Sequence, residues 1–170
     1  MKGYTFTACG YRVDAPYPTV CVEAENSLYA CEMLSNMAGV VSEMSDVTRY
    51  FYIAVVTLAL YSDISMCFHH ISIVEMHHLN LFAELARLLG EDPGLWSCRG
   101  RRWWSPSFIA YPCQLNAQIS ASIKAEEETA AKYSRQARMI RDPNIVAVLD
   151  RVIMDEERHL QIFREMCRQL

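Results

Sequence analysis

Residues 73–82, IVEMHHLNLF, and residues 154–163, MDEERHLQIF, are two versions of one ten-residue text. Laid over each other they share Glu75/Glu156, His78/His159, Leu79/Leu160 and Phe82/Phe163, with Asn80 facing Gln161 and Leu81 facing Ile162 as conservative changes. Each copy holds Glu-x-x-His. Positions i and i+3 lie on one face of a helix, so each copy turns a carboxylate and an imidazole toward one spot. With 13 Glu and 5 His in the chain, chance gives roughly 0.4 such matches. Two matches, both inside a repeat, are a signal.

Working outward, the periodicity predicts four helices. The first starts at the Asn26-Ser27 cap signal and runs to about Tyr61, with Val40, Met44, Val47, Phe51, Ala54 and Leu58 as its apolar face and Gly39 as a point of kinking or interruption. Ser62-Asp63 offers a cap for the second, about 64–90, which Gly90 and Asp92-Pro93-Gly94 stop. The third covers about 113–141. The fourth covers about 143–168, after Asp142-Pro143 as cap and first-turn proline. Tight turns make antiparallel hairpins of helices 1 and 2 and of helices 3 and 4. Residues 91–112, with Trp96, Trp103, Trp104 and the basic residues Arg99, Arg101 and Arg102, form a long connection. The expected fold is therefore all-α: an antiparallel four-helix bundle with one long crossover between helices 2 and 3. Residues 1–26 read as an extended N-terminal segment without chemistry, because the prolines of Ala15-Pro16-Tyr17-Pro18 restrict their predecessors. Residues 27–170 read as a single domain.

Composition excludes several classes. At 52% hydrophobic and 21% charged residues the chain is of globular type, and a net charge of −4 gives no footprint for nucleic acid. No stretch reaches the roughly 20 apolar residues of a membrane span, and residues 1–18 lack the apolar run of a secretion signal. A cytoplasmic location is the expectation. The seven cysteines, Cys9, Cys21, Cys31, Cys67, Cys98, Cys113 and Cys167, contain no Cys-x-x-Cys and read as free thiols rather than a disulfide framework.

Each helix carries a polar misfit near its inward face. Glu43 lies seven residues before Tyr50, and Glu126 lies seven residues before Tyr133. With Glu75/His78 and Glu156/His159, four glutamates and two histidines converge on one core. Isolated buried carboxylates cost several kcal/mol or become protonated. Two divalent cations match four carboxylates in charge, with neutral imidazoles completing the shells, and the pattern is that of dinuclear bundle sites. The second hairpin is in register: Glu126 and the 156–159 pair are equidistant from the Asp142-Pro143 turn. In the first hairpin the midpoint falls near residue 60, ahead of the turn expected at 62–63, so either that turn lies earlier or Asp46 replaces Glu43. The repeat of Glu43…Tyr50 as Glu126…Tyr133 favours Glu43. Asp155 is placed to accept a hydrogen bond from His78, or else is a solvated charge. Its counterpart in the first copy is Val74.

Glu43 with Tyr50, Glu75-Met-His-His78, Glu126 with Tyr133, and Asp155-Glu156-Glu-Arg-His159 resemble the ferritin-like superfamily, and within it the rubrerythrin-type and manganese-catalase-type proteins. The resemblance covers about residues 28–168. It implies that Glu43, Glu75, His78, Glu126, Glu156 and His159 are metal ligands and that Glu75 and Glu156 bridge; Tyr50 and Tyr133 read either as hydrogen-bond partners of those ligands, as Asp155 does for His78, or as ordinary core aromatics. It implies two ions per chain, iron or manganese, and an oxidoreductase acting on hydrogen peroxide or dioxygen as a peroxidase or catalase. Iron oxidation for storage or buffering, and a metal-stapled structural protein, are the alternatives. Rubrerythrins usually carry a rubredoxin-like domain with paired Cys-x-x-Cys motifs. This sequence has none, so a peroxidase would take electrons from an external donor. A homodimer or higher homo-oligomer is expected, without nucleic-acid or membrane partners.

Overall fold

The computed structural model describes residues 10–98 and 102–170; Cys9, Arg99 and Arg101 lie outside the described residues. Five helices are present: α1 (Ser27–Ala38), α2 (Glu43–Thr57), α3 (Ser62–Leu88), α4 (Leu115–Met139) and α5 (Pro143–Gln169). The first expected helix is thus two helices in sequence, α1 and α2. Gly39 is the reason for the break. It is in extended conformation there, and a Cβ on it would stand 2.7 Å from the Ser35 carbonyl oxygen. Ser42 then caps α2, and its hydroxyl donates to the Gly39 carbonyl at 2.7 Å. Lys132 of α4 braces the gap by donating to the carbonyls of Ser35 and Val41 at 2.9 and 2.8 Å. This break places Glu43 in the first turn of α2, where the unpaired amides and the helix dipole favour a carboxylate.

The turn of the first hairpin lies earlier than the Ser62-Asp63 signal. α2 ends at Thr57, whose carbonyl accepts from the amides of Leu60 and Tyr61, and α3 begins at Ser62 with no side-chain cap. Glu43 therefore stands level with Glu75 and His78, and the register conflict disappears. The second hairpin follows the sequence: Asp142 accepts from the amides of Asn144 and Ile145 ahead of Pro143. Gly90, at φ +97, ends α3 in the left-handed conformation that glycine adopts without penalty.

The stripe expected on the first helix is rotated. Val40, Phe51 and Leu58 are exposed, and the face of α2 turned inward is Glu43, Asp46, Tyr50, Ile53 and Thr57. The long connection contains a two-residue hairpin, β1 (Trp96–Ser97) with β2 (Arg102–Trp103), which the sequence did not announce. Trp104 reaches from it to the bundle, donating to the Ser45 hydroxyl at 3.1 Å. The free-thiol reading is corrected at one pair: Cys31 of α1 and Cys98 after β1 form a disulfide that ties the connection to the bundle. Cys21, Cys67, Cys113 and Cys167 are free thiols. No helix among the described residues is long and apolar enough to cross a membrane.

The core has two apolar halves. One contains Met33, Leu34, Phe82, Leu85, Leu149 and Val152; the other contains Ile53, Phe68, Ile71, Ile119, Phe163 and Met166. Between them lies a buried polar layer.

Candidate metal centre

That layer holds all six residues that the sequence singled out as ligands. Glu43, Glu75, His78, Glu126 and His159 are wholly buried, and Glu156 is 1% exposed. On α3 and α5 the i, i+3 spacing turns Glu75 with His78, and Glu156 with His159, toward the bundle axis. His78 Nδ1 stands 3.1 Å from Glu75, 3.2 Å from Glu156 and 3.7 Å from Glu43. His159 Nδ1 stands 2.8 Å from Glu75 and 3.7 Å from both Glu126 and Glu156. Two quartets result. Glu43, Glu75, His78 and Glu156 form one, and Glu75, Glu126, Glu156 and His159 form the other, each offering ligand atoms within 4.8 Å of one another. Glu75 and Glu156 belong to both.

The donor set fits two cations. Glu43 Oε2, Glu75 Oε1, Glu126 Oε2, Glu156 Oε1 and His159 Nδ1 are buried and close to one another without forming well-aligned hydrogen bonds. Such atoms are rare in a folded protein and mark a place for a water or an ion; five of the seven among the described residues belong to this one cluster of carboxylates and imidazole, ligands suited to iron and manganese.

Without cations, protons take over the charge balance. Burial drives Glu43 and Glu126 well above the usual carboxylate range, and neighbouring carboxylates push the same way. Burial also opposes the charge on Glu75 and Glu156. The imidazoles nevertheless hold both below that range, with a hydrogen bond from Glu126 helping Glu156. Burial opposes charge on the two histidines as well, yet the carboxylates around them prevail: His78 is raised well above its ordinary value and His159 to about 10.

The supporting residues are reciprocal. Tyr50 of α2 donates to Glu126 Oε1 of α4, and Tyr133 of α4 donates to Glu43 Oε1 of α2 at 2.5 Å. Each phenol fixes one carboxylate oxygen and leaves the other aimed inward. Asp155 is buried, with Oδ2 at 3.1 Å from His78 Nε2, which removes the reading of it as a solvated charge. Sequence reasoning missed several neighbours. Asp155 also accepts from the Val13 amide at 2.8 Å and the Tyr17 hydroxyl at 2.5 Å, and pairs with Arg151 at 2.8 Å. His159 Nε2 lies 2.9 Å from the Tyr11 carbonyl. The Arg151/Asp155 spacing of four was a legible signal; the partners from residues 11–17 were not. Asp46, weighed in place of Glu43, is in neither quartet. It pairs with Arg49 and lies 3.5 Å from the Thr129 hydroxyl. Burial raises it to about 7, with Arg49 opposing and Glu75 and Glu156 adding to the rise.

A family model described as rubrerythrin matches residues 37–167, a span that contains every ligand candidate. The chain belongs to the rubrerythrin family. Among solved structures, the fold of this rubrerythrin-family chain is similar to KatB, a manganese catalase from Anabaena. The TM-score is 0.79 at 18% identity, covering 94% of this chain and 80% of that one. It is also similar to the Mycobacterium tuberculosis bacterioferritin BfrA, with a TM-score of 0.71 at 17% identity over 85% and 87% of the two chains. A Rhodobacter capsulatus bacterioferritin with a metal-free dinuclear site matches at 0.71 and 15% identity over 85% and 86%. No curated protein matches the chain significantly. These likenesses bear out the ferritin-like four-helix bundle; the family and the buried donor set together make this a dinuclear carboxylate-histidine centre in kind.

Proposed function

We propose that this chain binds two ions, iron or manganese, and is an oxidoreductase acting on hydrogen peroxide or dioxygen. The observation that carries the reading is the pair of quartets sharing Glu75 and Glu156, with carboxylate oxygens that form no well-aligned hydrogen bonds aimed between them. Glu43 and His78 would serve one ion, Glu126 and His159 the other, and Glu75 and Glu156 would bridge.

Two redox-active ions held by these residues would supply the two electrons that cleaving an O–O bond takes, or recover them. The chain does the rest. Tyr50 and Tyr133 hold the terminal carboxylates in place. Asp155 and the Tyr11 carbonyl hold the imidazoles with Nδ1 inward. Reducing peroxide to two waters consumes two protons with the two electrons, and Asp46, a buried carboxylate of α2 that belongs to neither quartet and pairs with Arg49, is placed to take up and release one of them.

The test is peroxide consumption by protein loaded with manganese or with iron, with and without an added reductant. Turnover without reductant supports a catalase, and turnover only with a donor supports a peroxidase. No turnover with either metal refutes both. Exposed apolar side chains on α2 and α3, among them Phe51, Val55, Met66 and Ile73, support self-association. A closed shell of many subunits, measured by light scattering, would move the reading to iron oxidation and storage.

A further inference from the structure

Residues 10–26 contain no helix or strand, yet residues 11–17 lie on the backs of the two histidines. Tyr17 donates to Asp155 and its hydroxyl is 3.4 Å from His78 Nε2. The Val13 amide donates to the other oxygen of Asp155. Arg151 pairs with Asp155, lies over the Tyr17 ring at 4.1 Å, and donates to the carbonyls of Ala15 and Val13 at 2.8 and 2.9 Å. The segment and the carboxylate behind His78 are one hydrogen-bonded unit. On the other side, the partner of His159 Nε2 is the main-chain carbonyl of Tyr11.

The arrangement answers a gap in the internal repeat. Asp155 backs the histidine of the other copy. Its counterpart, Val74, has no polar atom with which to back His159. The Tyr11 carbonyl takes that place. The two imidazoles therefore have different partners, an anionic carboxylate for His78 and a neutral carbonyl for His159. An imidazole that donates its outer N–H to a carboxylate is the stronger metal donor at its inner nitrogen, and outer partners of this kind change metal affinity 10- to 100-fold.

We propose that residues 11–17 are a working part of the metal centre: they position both imidazoles and make the position served by His78 the tighter of the two. The inference rests on the dinuclear reading above. Tyr17 is a positioning residue, acting on His78 through Asp155.

The experiment is stepwise titration of the metal-free full chain with Mn(II), followed by calorimetry and by electron paramagnetic resonance. The unaltered chain is expected to bind two ions in two steps separated by about tenfold or more. Asp155→Asn is expected to weaken the tight step by about 10- to 100-fold, and Tyr17→Phe by a smaller factor in the same direction; neither should move the weak step. In protein loaded with diamagnetic Zn(II), the outer ring N–H resonance of His78 should shift on Tyr17→Phe while that of His159 stays. If residue 17 matters only for folding, Tyr17→Phe lowers the melting temperature of the metal-free chain and leaves the ratio of the two steps and the His78 resonance unchanged, which overturns the proposal. Two ions bound with equal constants also overturn it and leave the dinuclear reading standing. Failure to bind two ions at all refutes the dinuclear reading, and the inference falls with it.

Discussion

Removing single ligands should dissect the centre in a pattern fixed by the sharing of carboxylates. Glu43 belongs to one quartet and Glu126 to the other, whereas Glu156 belongs to both. Glu43→Ala and Glu126→Ala should each leave about one tightly held ion per chain, and Glu156→Ala should leave less than one. An outer partner of a metal ligand is worth 10- to 100-fold in affinity, so a ligand itself should be worth at least about 100-fold, or roughly 2.7 kcal/mol. The effect can be read as stability. With free metal at about 1,000 times the dissociation constant, each ion adds about 4 kcal/mol, so two add about 8 in the unaltered chain. A 100-fold loss at one position reduces this to about 5.5 kcal/mol, and at both to about 3. The assay is elemental analysis after dialysis, together with denaturant unfolding of each variant with and without metal. Referring each variant to its own metal-free form cancels the effect of losing a buried carboxylate. The reasoning fails if Glu156→Ala retains two ions, or if Glu43→Ala and Glu126→Ala lose both.

Three further outcomes follow from the same geometry. The raised value of His159, about 10, means that its protonated form stabilises the metal-free fold fully below about pH 6.5, and that this contribution fades as the pH rises through about 10. Metal must displace that proton, so affinity should rise between pH 6 and 9, with protons released into solution on loading. Calorimetry in buffers of different ionisation enthalpy measures the release, and a pH-independent affinity would contradict it. Tyr50→Phe should weaken the position that includes Glu126, and Tyr133→Phe the one that includes Glu43, each by about tenfold; a Mn(II) titration of either variant that weakens the other position would rule out the crossed support. Replacing Cys31 and Cys98 together by serine opens a closure 67 residues apart in sequence and should cost about 4 kcal/mol in denaturant unfolding. The two ions should remain, and a chain that lost them would show that the connection shapes the centre.

The helices and the meeting of the six candidate side chains in one layer were legible because both rest on short-range periodicity. Glu-x-x-His reads as one face of a helix wherever it occurs, and the cap at Asp142-Pro143 is a local signal. What failed was information carried between distant residues, or by polar groups in apolar places. On α2 the apolar stripe pointed the wrong way because the inward face belongs to Glu43, Asp46 and Tyr50. A helix that buries ligands turns spare valines and phenylalanines to its outside, where hydrophobic periodicity mistakes them for core. The Cys31–Cys98 pair, and the seat of Tyr11, Val13 and Tyr17 against α5, join residues far apart in sequence, and no spacing rule encodes them. Gly39 was visible as a break, but its consequence, a fresh helix start under Glu43, came from the approach of the Ser35 carbonyl.

The two hairpins are copies in the groups aimed at the cations and differ behind them. Glu43, Asp46 and Tyr50 recur 83 positions later as Glu126, Thr129 and Tyr133, and Glu75 and His78 recur 81 positions later as Glu156 and His159. The earlier turn absorbs the two-residue difference in the first hairpin. Across the near-twofold relation the tyrosines exchange carboxylates, so that each hairpin steadies a buried glutamate of the other. Asp46 meets its own counterpart, Thr129, where a symmetric pair would have set two buried carboxylates or two hydroxyls together. Asp155 has Val74 as its counterpart, and the chain N-terminal to the bundle makes up the difference. Two like carboxylates at the Asp46–Thr129 contact would repel, and two hydroxyls would hold no charge; one of each gives a buried acid with a neutral neighbour. The symmetric positions are therefore those that the proposed pair of ions would require. The unlike ones are those that would let the ions differ in affinity and let protons arrive from one side.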